Sequence, residues 1–92
     1  MKDSKNIQRL ERMLKCLANR RRLAILRYIR EEKEATVNDI ADEIRLSFKA
    51  TSKHLCVLAN VDILEREQRS KYMIYRLAEE LHPVVRHTLS LV

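Results

Sequence analysis

Ninety-two residues with Lys+Arg 19 against Asp+Glu 13, a formal net charge of +6 and a sequence pI near 9.7 describe one small domain whose partners are polyanions, nucleic acid before a membrane surface. Two cysteines, Cys16 and Cys56, stand far apart without CxxC spacing, which argues against a disulfide scaffold or a zinc module and fits a reducing, cytoplasmic compartment. The opening MKDSKNIQRLERM has no signal-peptide core and no stretch approaches the ~20 apolar residues of a membrane span, so a soluble protein without a membrane partner is expected.

From Ser4 to Leu17 the residues Ile7, Leu10, Met13, Leu14 and Leu17 recur at helical spacing and predict a first helix over 4–17. Asn19 can cap a second, Arg20 to about Glu32, with Leu23, Leu26 and Ile29 in one stripe and Ile25 beside it. Glu31 to Glu34 read as a solvated break. Thr36 is the next cap, and Val37, Ile40, Ala41 and Ile44 form the stripe of a short third helix. Only Arg45 and Leu46 separate it from the next cap, Ser47. With Gly 0 and Pro 1 in the chain, that turn puts arginine where glycine is easiest, at a cost of about 1 kcal/mol if φ is positive.

Ser47 to Asn60, SFKATSKHLCVLAN, predicts a helix with one buried and one basic face. At about 100° per residue, Phe48, Thr51, Leu58 and Asp62 fall within roughly 60° of Leu55, the inward stripe. Lys49, Ala50, Lys53, Val57 and Asn60 lie opposite, with Ser52, His54 and Cys56 on the flanks. The capped end, with its positive dipole, suits a phosphate. A short helix, a tight turn and a second helix with a polar basic face make a helix-turn-helix.

After Asn60 the period changes. Ile63 to Glu67 and Tyr72 to Leu77 are strand-like runs around the polar turn Gln68–Lys71, and Arg66, Arg69 and Lys71 make the hairpin basic. Such a hairpin is a wing, placed to reach phosphates or the minor groove. The last segment, Glu79 to Val92, ends apolar with Val84, Val85, Leu89, Leu91 and Val92 and admits Pro83 only near a helix start. Its stripe and that of Ile7, Leu10, Leu14 and Leu17 are expected to form a two-fold dimer interface, the alternative being that both pack on their own domain. The expected fold is mainly α with a two-stranded β-hairpin: one winged helix-turn-helix domain over 1–92, order α-α-α-α-β-β-α, with recognition helix 47–60, wing 63–77 and dimerisation helices 4–17 and 79–92.

These residues resemble the ArsR-type winged-helix transcriptional regulators. Leu17-Ala18-Asn19-Arg20-Arg21-Arg22-Leu23-Ala24-Ile25-Leu26 is similar to that family's L-A-(D/N)-x-x-R-L-x-I-L opening. Leu46-Ser47-Phe48-Lys49-Ala50-Thr51-Ser52-Lys53-His54-Leu55-Cys56-Val57-Leu58 is similar to its L-S-x-x-x-(V/T)-S-x-H-L-x-x-L recognition helix, and Tyr72–Leu77 to its second wing strand. The resemblance implies a homodimer that binds an imperfect palindrome in double-stranded DNA and represses transcription until an effector releases it. Carried over by position, the recognition-helix contacts would be Phe48, Lys49, Ser52 and Lys53, with His54 as a further candidate; the cap and the hairpin themselves add Ser47 at the capped end and Arg66, Arg69 and Lys71 in the wing. Phe48 stands where a polar base reader is usual, so it belongs either to the core or against a thymine methyl.

A regulatory metal is not expected. The third helix offers no thiolate, and His82 and His87 are spaced i, i+5, which does not put both on one helical face. No cofactor is expected, and no residue names an effector. Cys16 reads as a small buried hydrophobe, and Cys56 as a candidate for oxidation. No nucleophile, base and orienting acid recur in a motif, so an enzyme is not expected, and Asp39, Asp42 and Glu43 read as a solvated face directed away from DNA. The rival function is a winged helix used for protein interaction or for sequence-indifferent nucleic-acid binding.

Overall fold

Side-chain caps set the layout of the helices. The computed structural model describes residues 2–92. Its first helix, α1 (Lys2–Leu17), stops before Asn19, whose side chain accepts from the Arg22 N–H at 3.1 Å and starts α2 (Arg20–Glu32). Thr36 caps α3 (Val37–Ile44) through the Asp39 N–H, and Ser47 caps α4 (Phe48–Asn60) through the Ala50 N–H, each at 3.1 Å. Each cap pairs one of the N–H groups that a helix start leaves open, a contribution of about 0.5–2 kcal/mol. Leu55 and Leu58 of α4 are wholly buried with Ile25, Leu26 and Ile29 of α2 and Ile40 of α3, so one apolar cluster fixes the three helices together.

Three strands follow the order β1-β3-β2, all antiparallel, where a two-stranded hairpin was expected. The hairpin strands are β2 (Leu64–Arg69) and β3 (Tyr72–Leu77), joined by Ser70 and Lys71 alone, a tighter turn than Gln68–Lys71. The added strand, β1 (Glu34–Thr36), starts at the last residue of the expected solvated break, runs to the Thr36 cap, and pairs Glu34 with Arg76, Ala35 with Tyr75 and Thr36 with Ile74. In register, Ala35, Leu64, Tyr75, Met73 and Leu77 share one face, which packs on the helices. The other face carries Glu34, Glu65, Glu67, Arg69 and Arg76.

The glycine-free turns use left-handed backbone at Lys33, Arg45, Asp62 and Ser70, with φ of 76°, 54°, 62° and 58°. Asp62, expected on the inward stripe, instead turns the chain out of α4 and delivers Ile63 into the core. Arg45 makes the helix-turn-helix corner, and its strain is offset from α2: Arg21 Nη1 donates to the carbonyls of Ile44 at 2.8 Å and Arg45 at 3.4 Å, which the end of α3 leaves unpaired. Arg45→Gly removes the Cβ conflict and leaves that clamp, so it is expected to stabilise the protein by about 0.5–1 kcal/mol, a rise of several degrees in Tm for a domain of this size. Thermal unfolding by circular dichroism checks it.

The last helix, α5, is Pro83–Leu91 rather than 79–92. His82 caps it, Nδ1 accepting from the Val84 N–H at 3.1 Å, and Pro83 takes the first turn, where its missing N–H costs nothing. Val85 and Leu89 of α5 and Leu17 of α1, assigned to a dimer interface from the sequence, face the protomer's own core. Exposed Ile7, Leu10, Leu14 and Leu91 remain of that set, with half-buried Val84 and Val92.

Candidate nucleic-acid interface

The outer surface of α4 gathers the residues a DNA-reading helix needs. Phe48, Lys49, Ser52, Lys53 and Cys56 line one shallow depression of about 390 Å³, and among the described residues no carboxylate lines it. Phe48 is 57% exposed and belongs to this surface, not to the core where its place on the helical wheel put it. It is the first residue of α4, one turn beyond Thr51, the last buried member of the stripe, so nothing covers it. Ser47 accepts the Ala50 N–H and so has its hydroxyl oxygen engaged as a cap, leaving its O–H to donate outward. His54 lies on the flank, half-buried, with Arg22 Nε donating to its Nδ1 at 3.1 Å. Burial first, then the charges of Arg22 and Arg21, push this imidazole below its ordinary value of 6.5, so it is neutral at pH 7.

Strand alternation divides the wing. Arg66 lies on the helix-packed side of β2, its guanidinium 3.9 Å from Cys56 Sγ of α4, so it is continuous with the outer surface of α4. Arg69 points to the opposite face and is occupied there. It donates to Glu34 of β1 at 2.5 Å and to Glu67 at 3.2 Å, while Arg76 reaches Glu67 at 2.8 Å and Glu65 at 3.7 Å. The guanidinium expected to meet a phosphate therefore braces the sheet. Lys71, at the tip, is exposed and stands 5.5 Å from the centroid of the Tyr72 ring. Arg69→Ala is expected to leave the salt dependence of DNA binding unchanged, where loss of a phosphate contact lowers the slope by about one. The readout it should change is amide exchange in β2 and β3, which should quicken. In the same region, hydrogen bonds from Arg69 and then Arg76 hold the Glu67 carboxyl below its ordinary value, so this bracing is complete above the usual glutamate range and is lost as pH falls through the lowered value.

The acidic residues of α3 are not among those that line the α4 depression. Asp39, Asp42 and Glu43 are exposed on α3 and, with Glu32, raise the Tyr28 phenol above its ordinary value, after burial as the first cause. Arg21 serves as a clamp on α3 and Arg22 as the partner of His54. Neither role is legible in composition, because both depend on which carbonyl or ring nitrogen the fold brings within reach. Among the described residues no three of His, Cys, Asp and Glu come together, and no helix is long and apolar enough to cross a membrane.

A helix-turn-helix whose second helix turns a basic, carboxylate-free surface outward, followed by a hairpin, defines the winged helix-turn-helix class of DNA-binding regulators. Residues 19–66, just over half of the chain, match the model of the bacterial regulatory proteins of the arsR family, and the protein belongs to that family. It is thus a transcriptional regulator and not an enzyme. Among solved structures, the homodimeric winged helix-turn-helix DNA-binding domain of Mb0332 from Mycobacterium bovis is 26% identical with a TM-score of 0.81, covering 97% of this chain and 79% of that one. Reduced HlyU from Vibrio cholerae is 27% identical with a TM-score of 0.80, covering 98% and 90%. The antimony-specific transcriptional repressor AntR is 27% identical with a TM-score of 0.80, covering 96% and 77%. A comparison with curated proteins found no match.

Proposed function

We propose that this protein is a cytoplasmic repressor that binds a palindromic operator as a homodimer, each protomer placing α4 in a major groove. The observation that carries the reading is the shared depression of Phe48, Lys49, Ser52, Lys53 and Cys56, where two ammonium groups, a hydroxyl and an aromatic edge stand together without a carboxylate. Lysine suits guanine O6 and N7, serine either base type, and phenylalanine a thymine methyl. Arg66 and Lys71 extend the positive surface along the wing toward backbone phosphates, Ser47 and His54 flank it, and Arg69 is a brace.

The dimer follows from α1. Ile7, Leu10 and Leu14 are 65%, 38% and 47% exposed, and with Ala18 and the stems of Glu11 and Lys15 they line an apolar depression of about 420 Å³. Leu91 at the end of α5 is 72% exposed. A self-complementary stripe of this kind is covered by a second copy about a two-fold axis, and the homodimeric state of the Mb0332 domain favours the same arrangement here.

Selection of the purified protein against a random duplex pool, at low and at near-physiological salt, tests the whole reading. The expected result is a palindrome with half-sites about one helical turn apart that survives the higher salt. Recovery of no consensus, with binding that collapses as salt rises, would reduce the protein to a sequence-indifferent binder.

A further inference from the structure

Arg22 stands on the first turn of α2 and joins three elements. Its own N–H is taken by Asn19, its Nη1 donates to the Cys16 carbonyl at the end of α1 at 3.3 Å, and its Nε donates to His54 Nδ1 in the middle of α4 at 3.1 Å. A guanidinium has five donors and no lone pair, so Nδ1 is the acceptor in the last bond. A neutral imidazole that accepts at Nδ1 carries its proton on Nε2, which leaves the ring one N–H donor and no other acceptor. His54 also lines, with Arg22, Lys53, Ala50 and Val57, a cavity of about 320 Å³ on the flank of α4. The charged groups facing the ring are Arg22 and Arg21 of α2 and Lys53 of α4 itself, all cations. The remaining lining residues, Ala50 and Val57, are apolar.

A hollow lined by the side chains of Arg22, Lys53 and His54, with no carboxylate in its lining among the described residues, matches the chemistry of a phosphodiester oxygen. We propose that Arg22, Lys53 and His54 form a seat for one DNA backbone phosphate beside the base-reading surface, and that Arg22 is its positioning residue, fixing His54 as the Nε2-protonated tautomer. The seat rests on the DNA-binding reading of α4 and adds a register point to it. A phosphate held here fixes how far α4 turns in the groove, while Arg22 ties that register to the ends of α1 and α2.

The test uses the full chain labelled with ¹⁵N-histidine, free and bound to a short duplex of arbitrary sequence, since a phosphate contact needs no operator. The signal missing in His54→Gln assigns the ring among the three histidines. In the free protein, long-range ¹⁵N–¹H spectra are expected to show the Nε2–H tautomer and titration below 6.5. On the duplex, the His54 midpoint should rise by about one unit, because an adjacent phosphate favours the cation. Affinity should then strengthen up to about tenfold as pH falls through the window between the free and bound midpoints, and His54→Gln should abolish that gain. Arg22→Met, which keeps an aliphatic stem and removes the donors and the charge, should raise the free midpoint and mix the tautomers. A packing role alone would leave the tautomer as it is and weaken binding equally at every pH.

An Nδ1–H tautomer in the free wild type, or duplex binding that leaves the His54 midpoint unmoved, would overturn the seat while the DNA reading stands. Failure to bind duplex even at low salt would overturn both. The wild-type measurements decide the matter even if Arg22→Met does not fold.

Discussion

Leu10→Glu combined with Leu14→Glu is expected to give a folded monomer that binds a two-half-site duplex about 10²–10⁴-fold more weakly than the wild type, the range lost when two linked binding events become separate ones. Both side chains are already 38% and 47% exposed in the protomer, so placing carboxylates there disturbs little of its own core. Across a two-fold axis the same change buries four carboxylates against an apolar stripe without partners, and each unpaired buried charge costs several kcal/mol. Sedimentation equilibrium reads the assembly state, far-ultraviolet circular dichroism the fold, and titration of a palindromic duplex the affinity. A double variant that stays dimeric would place the interface elsewhere on the molecule.

The second large effect lies on α4. Lys49→Ala with Lys53→Ala should lower affinity for the selected operator by 10²-fold or more, since each lost base contact removes about 1–3 kcal/mol of discrimination and the dimer loses it twice. Where a lysine meets a phosphate instead, its signature is a fall of about one in the salt slope per contact. Titration at several salt concentrations against operator and scrambled duplex separates the two. Neither side chain makes a hydrogen bond or ion pair within the protomer among the described residues, so stability should be nearly unchanged. The contrast with Arg21, Arg22 and Arg69 is instructive, because those three cations are engaged inside the protomer, and their removal should be read first in structure and only then in affinity. An operator bound equally well by the double variant would remove α4 from the recognition role.

Much of this was legible in the chain. Asn19, Thr36 and Ser47 announce helix starts by a local rule, and the spacing of Val37, Ile40, Ala41 and Ile44 carries the buried face of α3 without reference to anything distant. The glycine-free corner at Arg45 could be named as a left-handed position because two helices were separated by only two residues. What escaped depends on tertiary placement. β1 is three residues, Glu34–Thr36, with no alternation to display, and exists only because β3 offers it an edge. That omission hid the role of Arg69, whose partner Glu34 sits on the missing strand. Phe48 illustrates a different limit: a helical wheel gives direction around an axis but not where the packed core ends along it. Leu17, Val85 and Leu89 show the same difficulty at a helix pair, where an apolar stripe does not reveal whether its cover comes from the same chain or from another.

The order β1-β3-β2 leaves both outer strands with an open row of backbone donors and acceptors, the sort of template on which foreign strands assemble. Here one edge is too short to recruit a partner and the other, Leu64-Glu65-Arg66-Glu67-Gln68-Arg69, carries a charge at four of its six positions. A strand docking edge to edge would have to match that charge pattern, so the wing can stay uncovered at high protein concentration without seeding fibrous growth.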